Sequence, residues 1–277
     1  MSLLVSELWV YPVKGMAGNP VASLKFDEHG PLEDRRWMLM DSNGTFVSQR
    51  RFPLLGLFKA SVLGQQLTIE APDGERCIVT ANQCTQRVRA TVWSDEVAVL
   101  MAPEVMNQWL SNYFSEPVYL VRYRTDQPRH TSPEYSDRTV GFADGFPLLL
   151  CLADSLNALN VGSPVPLDMR RFRPNIVLSG APAWSENSWL TLRGDHHLLT
   201  VVKPCTRCAV ITIRPGTVER EPRVLRHLLQ FSQWKKHPVF GQNAVVNECD
   251  KPLTLGSIFH AAMTDKPQAE PLPTTPA

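Results

Sequence analysis

Residues 36–49 read RWMLMDSNGTFVSQ and carry the clearest secondary-structure signal in the chain. The pair Asn43-Gly44 lies between two apolar runs, which is the strongest short-range signal for a β-hairpin, because the favoured two-residue turns need positive φ at both central positions. Similar short runs and turns fill the first hundred residues, from Ser6–Val13 to Val97–Met101. We therefore expect a small antiparallel unit at the N-terminus, a barrel or a sandwich.

The second part of the chain mixes helical and strand patterns. Pro103 opens an amphipathic helix, and Arg220–Trp234 predicts another. Ala209–Ile213 is a β-branched run that predicts a strand, and residues 123–139 form a long polar loop. We expect a mainly β chain with some helix (α+β): an antiparallel barrel-like unit over residues 1–100, a β-barrel with flanking helices over 101–263, and a disordered proline-rich tail over 264–277.

Composition excludes several classes of protein. The 277 residues are 43% hydrophobic and 20% charged, as in ordinary globular proteins. Lys and Arg number 28 against 27 Asp and Glu, so no global field attracts nucleic acid or anionic lipid. The sequence contains no long apolar run and no secretory signal, and its six cysteines fit thiols. We expect a cytoplasmic protein without a membrane or nucleic-acid partner.

Residues 203–208, KPCTRC, contain the candidate reactive cysteines. A thioredoxin-type pair would begin a helix, whereas a strand pattern follows here. A structural zinc site needs a second pair of ligands; Cys77 and Cys84 are too widely spaced, although two histidines at 196–197 lie close in sequence. A thiolate between Lys203 and Arg207 would be a nucleophile or a ligand for a soft metal. Two buried structural cysteines remain the simplest alternative.

Arginines recur in short groups beside apolar strands, at 34–37, 49–53 and 170–175. Their planar donor groups suit phosphate or a fused polar ring system. Lys14 adds a cation next to Gly15, where the backbone can approach a ligand closely. The sequence contains no Walker or dinucleotide-type glycine loop, so we expect a local anion site for something other than ordinary nucleotide phosphate.

Six short motifs then occur in a recognisable order: YPVK at 11–14, DRRW at 34–37, FADGFP at 142–147, FRPN at 172–175, CTRC at 205–208 and FGQN at 240–243. This ordered set resembles the MOSC proteins that carry an N-terminal β-barrel domain. The family groups the C-terminal domain of molybdenum cofactor sulfurase with the amidoxime-reducing component and a bacterial reductase of N-hydroxylated bases. By this resemblance, residues 1–100 are the MOSC N-terminal β-barrel domain and residues 101–263 the MOSC domain.

The resemblance implies a molybdenum–molybdopterin cofactor. It assigns Cys208 as the metal ligand and as a catalytic residue, and it places Asp144 close to the metal. There Asp144 would be a second catalytic residue that moves protons or orients water; the alternative is a structural aspartate in a turn or helix cap before Pro147. The implied cofactor-binding residues are Lys14, Gly15, Arg35, Arg50, Arg173, Thr206 and Arg207. Gly15 stands where the amidoxime-reducing proteins have serine, which removes one side-chain contact to the phosphate.

The implied activity is reduction of hydroxylamines, amidoximes and N-hydroxylated bases to amines, a detoxifying oxidoreductase reaction that needs no pyridoxal phosphate. The cysteines lack the C-x₄-C-x₂-C spacing of a [2Fe–2S] cluster, so we expect a separate reductase or ferredoxin-type protein to supply electrons. Two alternatives stay open. One is a sulfur carrier or sulfurtransferase that uses a persulfide on Cys208, and the other is a non-catalytic carrier of the molybdenum cofactor.

Overall fold

The computed structural model describes residues 1–265 and the backbone of residues 270–271. β-Strands predominate, which confirms the predicted fold class. The strands, in chain order, are β1 (Ser2–Val10), β2 (Asn19–Pro20), β3 (Ser23–Leu24), β4 (Phe26–Asp27), β5 (Gly30–Pro31), β6 (Trp37–Asp41), β7 (Lys59–Leu63), β8 (Gln66–Glu70), β9 (Arg76–Thr80), β10 (Gln86–Val92), β11 (Asp95–Met101), β12 (Val118–Tyr123), β13 (Arg129–His130), β14 (Thr139–Val140), β15 (Leu148–Leu152), β16 (Ile176–Ser179), β17 (Trp189–Arg193), β18 (His197–Thr206), β19 (Ser232–Trp234), β20 (His237–Cys249), β21 (Leu253–Thr254), β22 (Ile258–Met263) and β23 (Glu270–Pro271). The helices are α1 (Glu104–Ser111), α2 (Ala153–Asn160) and α3 (Arg223–Leu229).

Seven strands close into a barrel, because each pairs with the next and the last returns to the first, in the order β15, β16, β1, β22, β17, β18 and β20. Neighbours are antiparallel except β15 and β16, which run parallel and are joined through α2. The inward side chains are aliphatic and aromatic; Leu8, Leu150 and Phe259 are almost completely buried. The barrel thus has a packed interior and carries its functional residues at the ends of its strands.

A second unit is built on the four-stranded sheet β10-β11-β12-β6 and the meander β7-β8-β9. Helix α1 packs on this unit through Met106 and Leu110, beside the buried ring of Phe58. Strand pairing crosses residue 100 in both directions. Strand β1, from before residue 100, joins the barrel, and β12, from after it, pairs with β6 in the second unit. The division at residue 100 stays a prediction.

The hairpin at residues 36–49 forms, with a turn that differs from the expected one. The Gly44 amide donates to the carbonyl of Asp41 at 3.0 Å, and Asp41 N donates to Thr45 O at 2.9 Å. Gly44 has a φ of 77°, whereas Asn43 is not among the residues with positive φ. The loop is therefore three residues long, a type I turn followed by a left-handed glycine.

Two further elements differ from the sequence prediction. Ala209–Ile213, expected to be a strand, forms a 3-10 turn at Ala209–Thr212, and the buried Ile211 packs with the α3 residues Val224 and Leu228. The predicted helix at Arg220–Trp234 is confined to α3, and the chain re-extends as β19. Packing of the apolar side chains under a short helix therefore prevails over the strand preference of a β-branched run.

The predicted disordered tail at 264–277 falls mostly outside the described residues and stays a prediction. The backbone at Glu270–Pro271 pairs with β19 as a short strand. In the described part of the chain, none of the helices combines the length and the apolar character that a membrane crossing requires.

Candidate functional site

A cavity of about 420 Å³ opens where one end of the barrel meets the loops of the second unit. Every residue that the sequence analysis assigned to the site lines it: Lys14, Gly15, Arg35, Arg50, Asp144, Arg173, Thr206, Arg207 and Cys208. These residues come from segments far apart in the chain. The structure therefore brings the predicted set together, while the role of each residue remains a prediction.

The backbone after β1 shapes one wall of the cavity. Gly15 has a φ of 88°, and a Cβ atom at this position would lie 2.5 Å from Cδ2 of Leu55. The Gly15 carbonyl accepts a hydrogen bond of 2.6 Å from Nε2 of Gln49. The backbone conformation and the packing of Leu55 therefore both favour glycine at position 15.

Two arginines meet over one tyrosine at the base of the cavity. The guanidinium carbons of Arg35 and Arg173 lie 4.3 and 4.2 Å from the centre of the Tyr11 ring. Arg35 donates to Oδ2 of Asp34 at 2.6 Å and to the Arg173 carbonyl at 3.1 Å. Both arginines also have positive φ, 46° and 55°. Such a strained backbone at two adjacent cations is a common property of ligand sites.

Arg173 retains a donor that no side chain or backbone group satisfies. Its Nη1 donates to the Met16 carbonyl at 2.7 Å, whereas its Nη2 is buried and has no hydrogen-bond partner among the described residues. Burial lowers the pKa of Arg173 to about 10, so the guanidinium stays charged at neutral pH. A buried, charged donor without a partner is costly. Arg173 also lines the cavity, where its charge favours an anion.

Lys14 and Asp144 form an ion pair across the cavity wall. Nζ of Lys14 also donates to the Phe142 carbonyl at 2.8 Å, and the indole of Trp93 donates to Oδ1 of Asp144 at 3.2 Å. Desolvation acts to raise the pKa of Asp144, but the charge and hydrogen bond of Lys14 prevail and hold it well below its usual range. Asp144 is therefore a carboxylate at any physiological pH.

The two cysteines of the CTRC segment have different environments at the end of β18. Arg207 connects this segment to its surroundings: its Nη1 contacts Sγ of Cys205 at 2.8 Å, and its Nη2 donates to the Phe172 carbonyl at 2.8 Å. Its Nε is buried without a partner among the described residues. Cys205 is half-buried, whereas Cys208 is exposed. Both cysteines line the cavity, and Cys208 is the more exposed of the two.

The other sequence interpretations of these cysteines lose support. A zinc site requires further ligands, and in residues 1–265 no group of three or more His, Cys, Asp or Glu side chains is placed to hold a metal ion. A thioredoxin-type pair requires a helix N-terminus, and Cys208 is followed by a single 3-10 turn.

Several cavity residues escaped the sequence analysis. Trp93, with a φ of 59° in the turn between β10 and β11, lies under the Arg50 guanidinium at 4.4 Å. Asn175 accepts from Nη1 of Arg35 at 3.1 Å through Oδ1. Asn175 belongs to the FRPN motif, which offered a signal for it. For Trp93 the sequence showed only a single tryptophan in a polar turn, which is no specific signal.

A second, wider cavity of about 820 Å³ adjoins the first. The two share five residues: Trp93, Asp144, Gly145, Phe146 and Lys203. Its outer wall includes residues 127–133, within the polar loop that the sequence analysis singled out. A molecule in this outer cavity would therefore reach the first cavity past Asp144 and Trp93.

The donor chemistry of the first cavity fits a pterin cofactor with a phosphate. Four buried or half-buried cations, Lys14, Arg35, Arg173 and Arg207, face a cavity with two unpartnered donors, which suits an anionic, polar ring system. The accessible sulfur of Cys208 suits a soft metal. The residues present therefore fit a molybdenum–molybdopterin group that is anchored through one cysteine.

The comparisons with known proteins agree with this donor set. Residues 2–117 match the family described as "MOSC N-terminal beta barrel domain", and residues 137–256 match "MOSC domain". The chain is 29% identical over 264 residues to the "Mitochondrial amidoxime-reducing component 1" of Xenopus laevis, covering 86% of this chain and 76% of that protein. It is 28% identical over 262 residues to the "Molybdenum cofactor sulfurase" of Oryza sativa subsp. japonica, covering 86% of this chain but 32% of that protein.

Among solved structures, the YUAD protein from Bacillus subtilis aligns over 94% of both chains with 11% identity and a TM-score of 0.43. The assignment rests on the two domain matches, which together extend over most of the chain and agree with its two β units. The chain therefore belongs to the MOSC family and combines a MOSC N-terminal β-barrel domain with a MOSC domain.

Proposed function

We propose that this protein is a molybdenum-cofactor-dependent reductase that converts N-hydroxylated compounds to amines. The observation that carries the proposal is the accessible Cys208 sulfur in a cavity whose buried cations include two donors without partners. The similarity to proteins named amidoxime-reducing component supports this activity over others in the family. The substrates we propose are hydroxylamines, amidoximes and N-hydroxylated bases.

In this proposal each residue of the cavity has a binding task. The Cys208 thiolate holds the metal, and Lys14, Arg35 and Arg173 compensate the charge of the phosphate and the pterin. Arg207 is held by the Phe172 carbonyl, lines the same cavity and adds a fourth positive charge. Thr206 and Arg50 border the mouth. When bound, the cofactor supplies the two-electron chemistry that takes the oxygen from an N–OH group.

In this proposal Asp144 orients the substrate and does not donate a proton to it. Because Lys14 holds the pKa of Asp144 low, this carboxylate has no proton to give at neutral pH. It can accept a hydrogen bond from the N–H or O–H of a substrate that enters from the outer cavity. The Asp144 side chain is 73% exposed, against 10% for Lys14, so it can meet a substrate while its partner stays buried.

We also propose a reducing compartment such as the cytoplasm. All six cysteines are free thiols in the structure. Exposed and half-buried thiols persist where the surroundings keep them reduced.

The experiment compares Cys208→Ser with Cys205→Ser, both made in a host that synthesises the cofactor. We expect Cys208→Ser to lose molybdenum and viologen-driven reduction of a small amidoxime, at least a hundredfold, because a hydroxyl is a poor ligand for a soft metal. Cys205→Ser should retain most of both. Equal molybdenum and activity in wild type and Cys208→Ser would refute the ligand assignment.

The same samples separate the alternatives. Sulfane sulfur on Cys208 in a protein without molybdenum would favour a sulfur carrier, and bound cofactor without reductase activity would favour a cofactor carrier. Arg173→Ala tests the anion site separately, because loss of a buried guanidinium leaves the phosphate charge unpaired. We expect that variant to purify with less than a tenth of the wild-type pterin.

A further inference from the structure

The segment 220–237 contains exposed cations without carboxylate partners. Most arginines among the described residues form an ion pair with Asp or Glu, whereas five cations of this segment form none there: Arg220, Arg223, Arg226, Lys235 and Lys236. All five are exposed. We call these five residues the cationic flank. The only carboxylate within the segment, Glu221, is already paired with Arg171 and Arg214.

The cationic flank lies beside the CTRC segment. The Arg207 amide donates to the Pro238 carbonyl at 2.8 Å, and Thr206 pairs with Val239 in the strand register. The β19–β20 hairpin, which carries Lys235 and Lys236 at its tip, is therefore attached directly to the backbone next to Cys208.

A second connection lies on the other side of the segment. Nη2 of Arg220 donates to the Arg50 carbonyl at 2.8 Å, and Arg50 lines the candidate cofactor cavity. Arg220 also bridges to Ile213, close after Cys208. The segment of the cationic flank is thus hydrogen-bonded near each of its ends to a residue that lines the cavity, Arg50 at one end and Arg207 at the other.

The tip of the β19–β20 hairpin places two lysines in the left-handed backbone region, which residues with a Cβ atom disfavour. Trp234 pairs with His237, so Lys235 and Lys236 are the central residues of a two-residue turn, with φ values of 50° and 66°. Asn-Gly is the favoured pair for such a turn, and a residue with a Cβ pays a conformational cost in the left-handed region. Two strained lysines at an exposed tip point to a use for their charges.

We propose that the cationic flank is the docking surface for an acidic protein that donates electrons to the site. This inference rests on the proposed function, because a reductase needs a source of electrons. Unpaired surface charges contribute most to the rate and orientation of association with a partner of opposite charge. The half-buried Trp234 ring, with Lys235 Nζ 4.4 Å from its centre, adds an aromatic contact of the kind that protein interfaces favour.

A nucleic acid fits this surface less well. The whole chain has a formal charge of +1, so it lacks the basic excess that is typical of nucleic-acid-binding domains. A compact acidic face of a redox protein matches a patch of this extent at the mouth of a redox site. The experiment below distinguishes an acidic redox protein from a nucleic acid.

The test uses the holoprotein with a plant-type [2Fe–2S] ferredoxin, an acidic one-electron carrier, kept reduced by its own reductase. The variant combines Arg226→Glu, Lys235→Glu and Lys236→Glu. A matched control combines Lys25→Glu, Arg87→Glu and Lys251→Glu, three exposed cations outside the flank and without ion pairs among the described residues. Turnover of an amidoxime is measured with reduced ferredoxin and, separately, with reduced viologen.

We expect the flank variant to lose about tenfold or more in kcat/KM for ferredoxin at low salt and to show a weaker dependence on ionic strength than wild type. Its viologen-driven turnover should equal that of wild type, and the control should be unchanged with both donors. Absence of viologen-driven turnover in wild type would refute the proposed function itself.

Three results would overturn the docking proposal while that function stands. The first is a wild type that accepts electrons from viologen but shows no saturable turnover with ferredoxin. The second is a flank variant whose kcat/KM for ferredoxin lies within twofold of the control. The third is that wild type binds duplex DNA and the flank variant does not, while both have the same kinetics with ferredoxin. That result would assign the surface to a nucleic acid.

Discussion

At the scale of single residues, the cavity is made of side chains whose charges are only partly compensated. Arg35 has an aspartate and a carbonyl for its guanidinium, whereas Arg173 and Arg207 each retain a buried donor without a partner in the described residues. Gly15 has a positive φ, and Leu55 leaves little space for a side chain at this position. The residue types could be identified from short motifs, but their partners could not, because the partners lie in other segments.

Gly15→Ser tests whether the serine of related proteins can be restored. We expect the variant to lose about 2 to 4 kcal/mol of unfolding free energy, because it combines a strained positive φ with a Cβ that overlaps Leu55. Gly74→Ser is the matched control, since Gly74 has a φ of 91° and open space around it. It should lose about 1 kcal/mol. Urea denaturation measures the unfolding free energy of both variants. Equal losses would show that the Leu55 side chain moves aside without a loss of stability.

Glu186 provides a prediction about pH. Burial raises its pKa to about 7, and Ser155 donates to its Oε2 at 2.8 Å, while Oε1 has no partner in the described part of the chain. The folded protein therefore holds a proton on Glu186 more tightly than the unfolded chain does. Between the unfolded pKa near 4.5 and about 7 the folded state binds the extra proton, so stability from this group falls as pH rises.

Glu186→Gln removes the titration and keeps the shape. We expect the variant to be more stable than wild type by about 1 to 3 kcal/mol at pH 8, relative to the difference between the two proteins at pH 4.5. The measurement is the free energy of unfolding at several pH values. A difference between the two proteins that does not change with pH would mean that Glu186 is solvated or paired in solution.

At the scale of elements, the turns carry more information than the strands they join. Gly44 forms a left-handed position after a type I turn, and Lys235-Lys236 forms a turn of the mirror-image kind without a glycine. The first was signalled by Asn-Gly, although the actual turn has one more residue than expected. The second had no sequence signal, because two lysines are unusual in both central positions.

Lys236→Gly separates the two consequences of this hairpin. Relief of the left-handed conformation should raise the unfolding free energy by about 0.5 to 1 kcal/mol, while loss of the charge should slow turnover with ferredoxin. Lys236→Arg is the control that keeps the charge and should match wild type in both respects. Thermal unfolding and steady-state kinetics measure the two effects. A variant that gains stability and retains full ferredoxin turnover would show that this lysine has no part in docking.

Much of the fold could be predicted from local pattern. The hairpin at residues 36–49, helix α1 after Pro103 and the β-rich class follow from turn residues and periodicity within short windows. The segment 209–213 could not, because its β-branched residues favour a strand and only the packing of Ile211 under α3 makes it a turn. Closure of the barrel could not be predicted either, since it depends on pairs such as Leu4 with Ile258.

At the scale of the whole molecule, the N-terminal strand belongs to the C-terminal barrel. β1 lies between β16 and β22 and delivers Lys14 and Gly15 to the cavity at its end. A barrel without this strand has two open edges, which are prone to pair with other chains. The candidate site is therefore formed by residues from both halves of the chain.

A fragment of residues 124–265 tests this dependence. It contains the other six barrel strands, and we expect it to unfold without cooperativity and to aggregate, because β16 and β22 lack their shared neighbour. The control fragment carries residues 1–14 after residue 265 through a short glycine–serine linker. The linker is feasible because β1 and β22 are antiparallel and Ala261 N contacts the Met1 carbonyl at 3.4 Å. Circular dichroism during thermal unfolding should show a cooperative transition only in the control, and a transition in both fragments would contradict the expectation.

The position of β1 also has a consequence for biosynthesis. Its neighbours β16 (Ile176–Ser179) and β22 (Ile258–Met263) are far from it in sequence and leave the ribosome long after it. At bacterial and eukaryotic elongation rates this interval is on the order of ten seconds or more. Throughout it, the nascent strand must either stay sheltered or make provisional contacts that are later exchanged. Closure of the barrel, and with it completion of the cavity at the end of β1, must therefore wait for synthesis of β22.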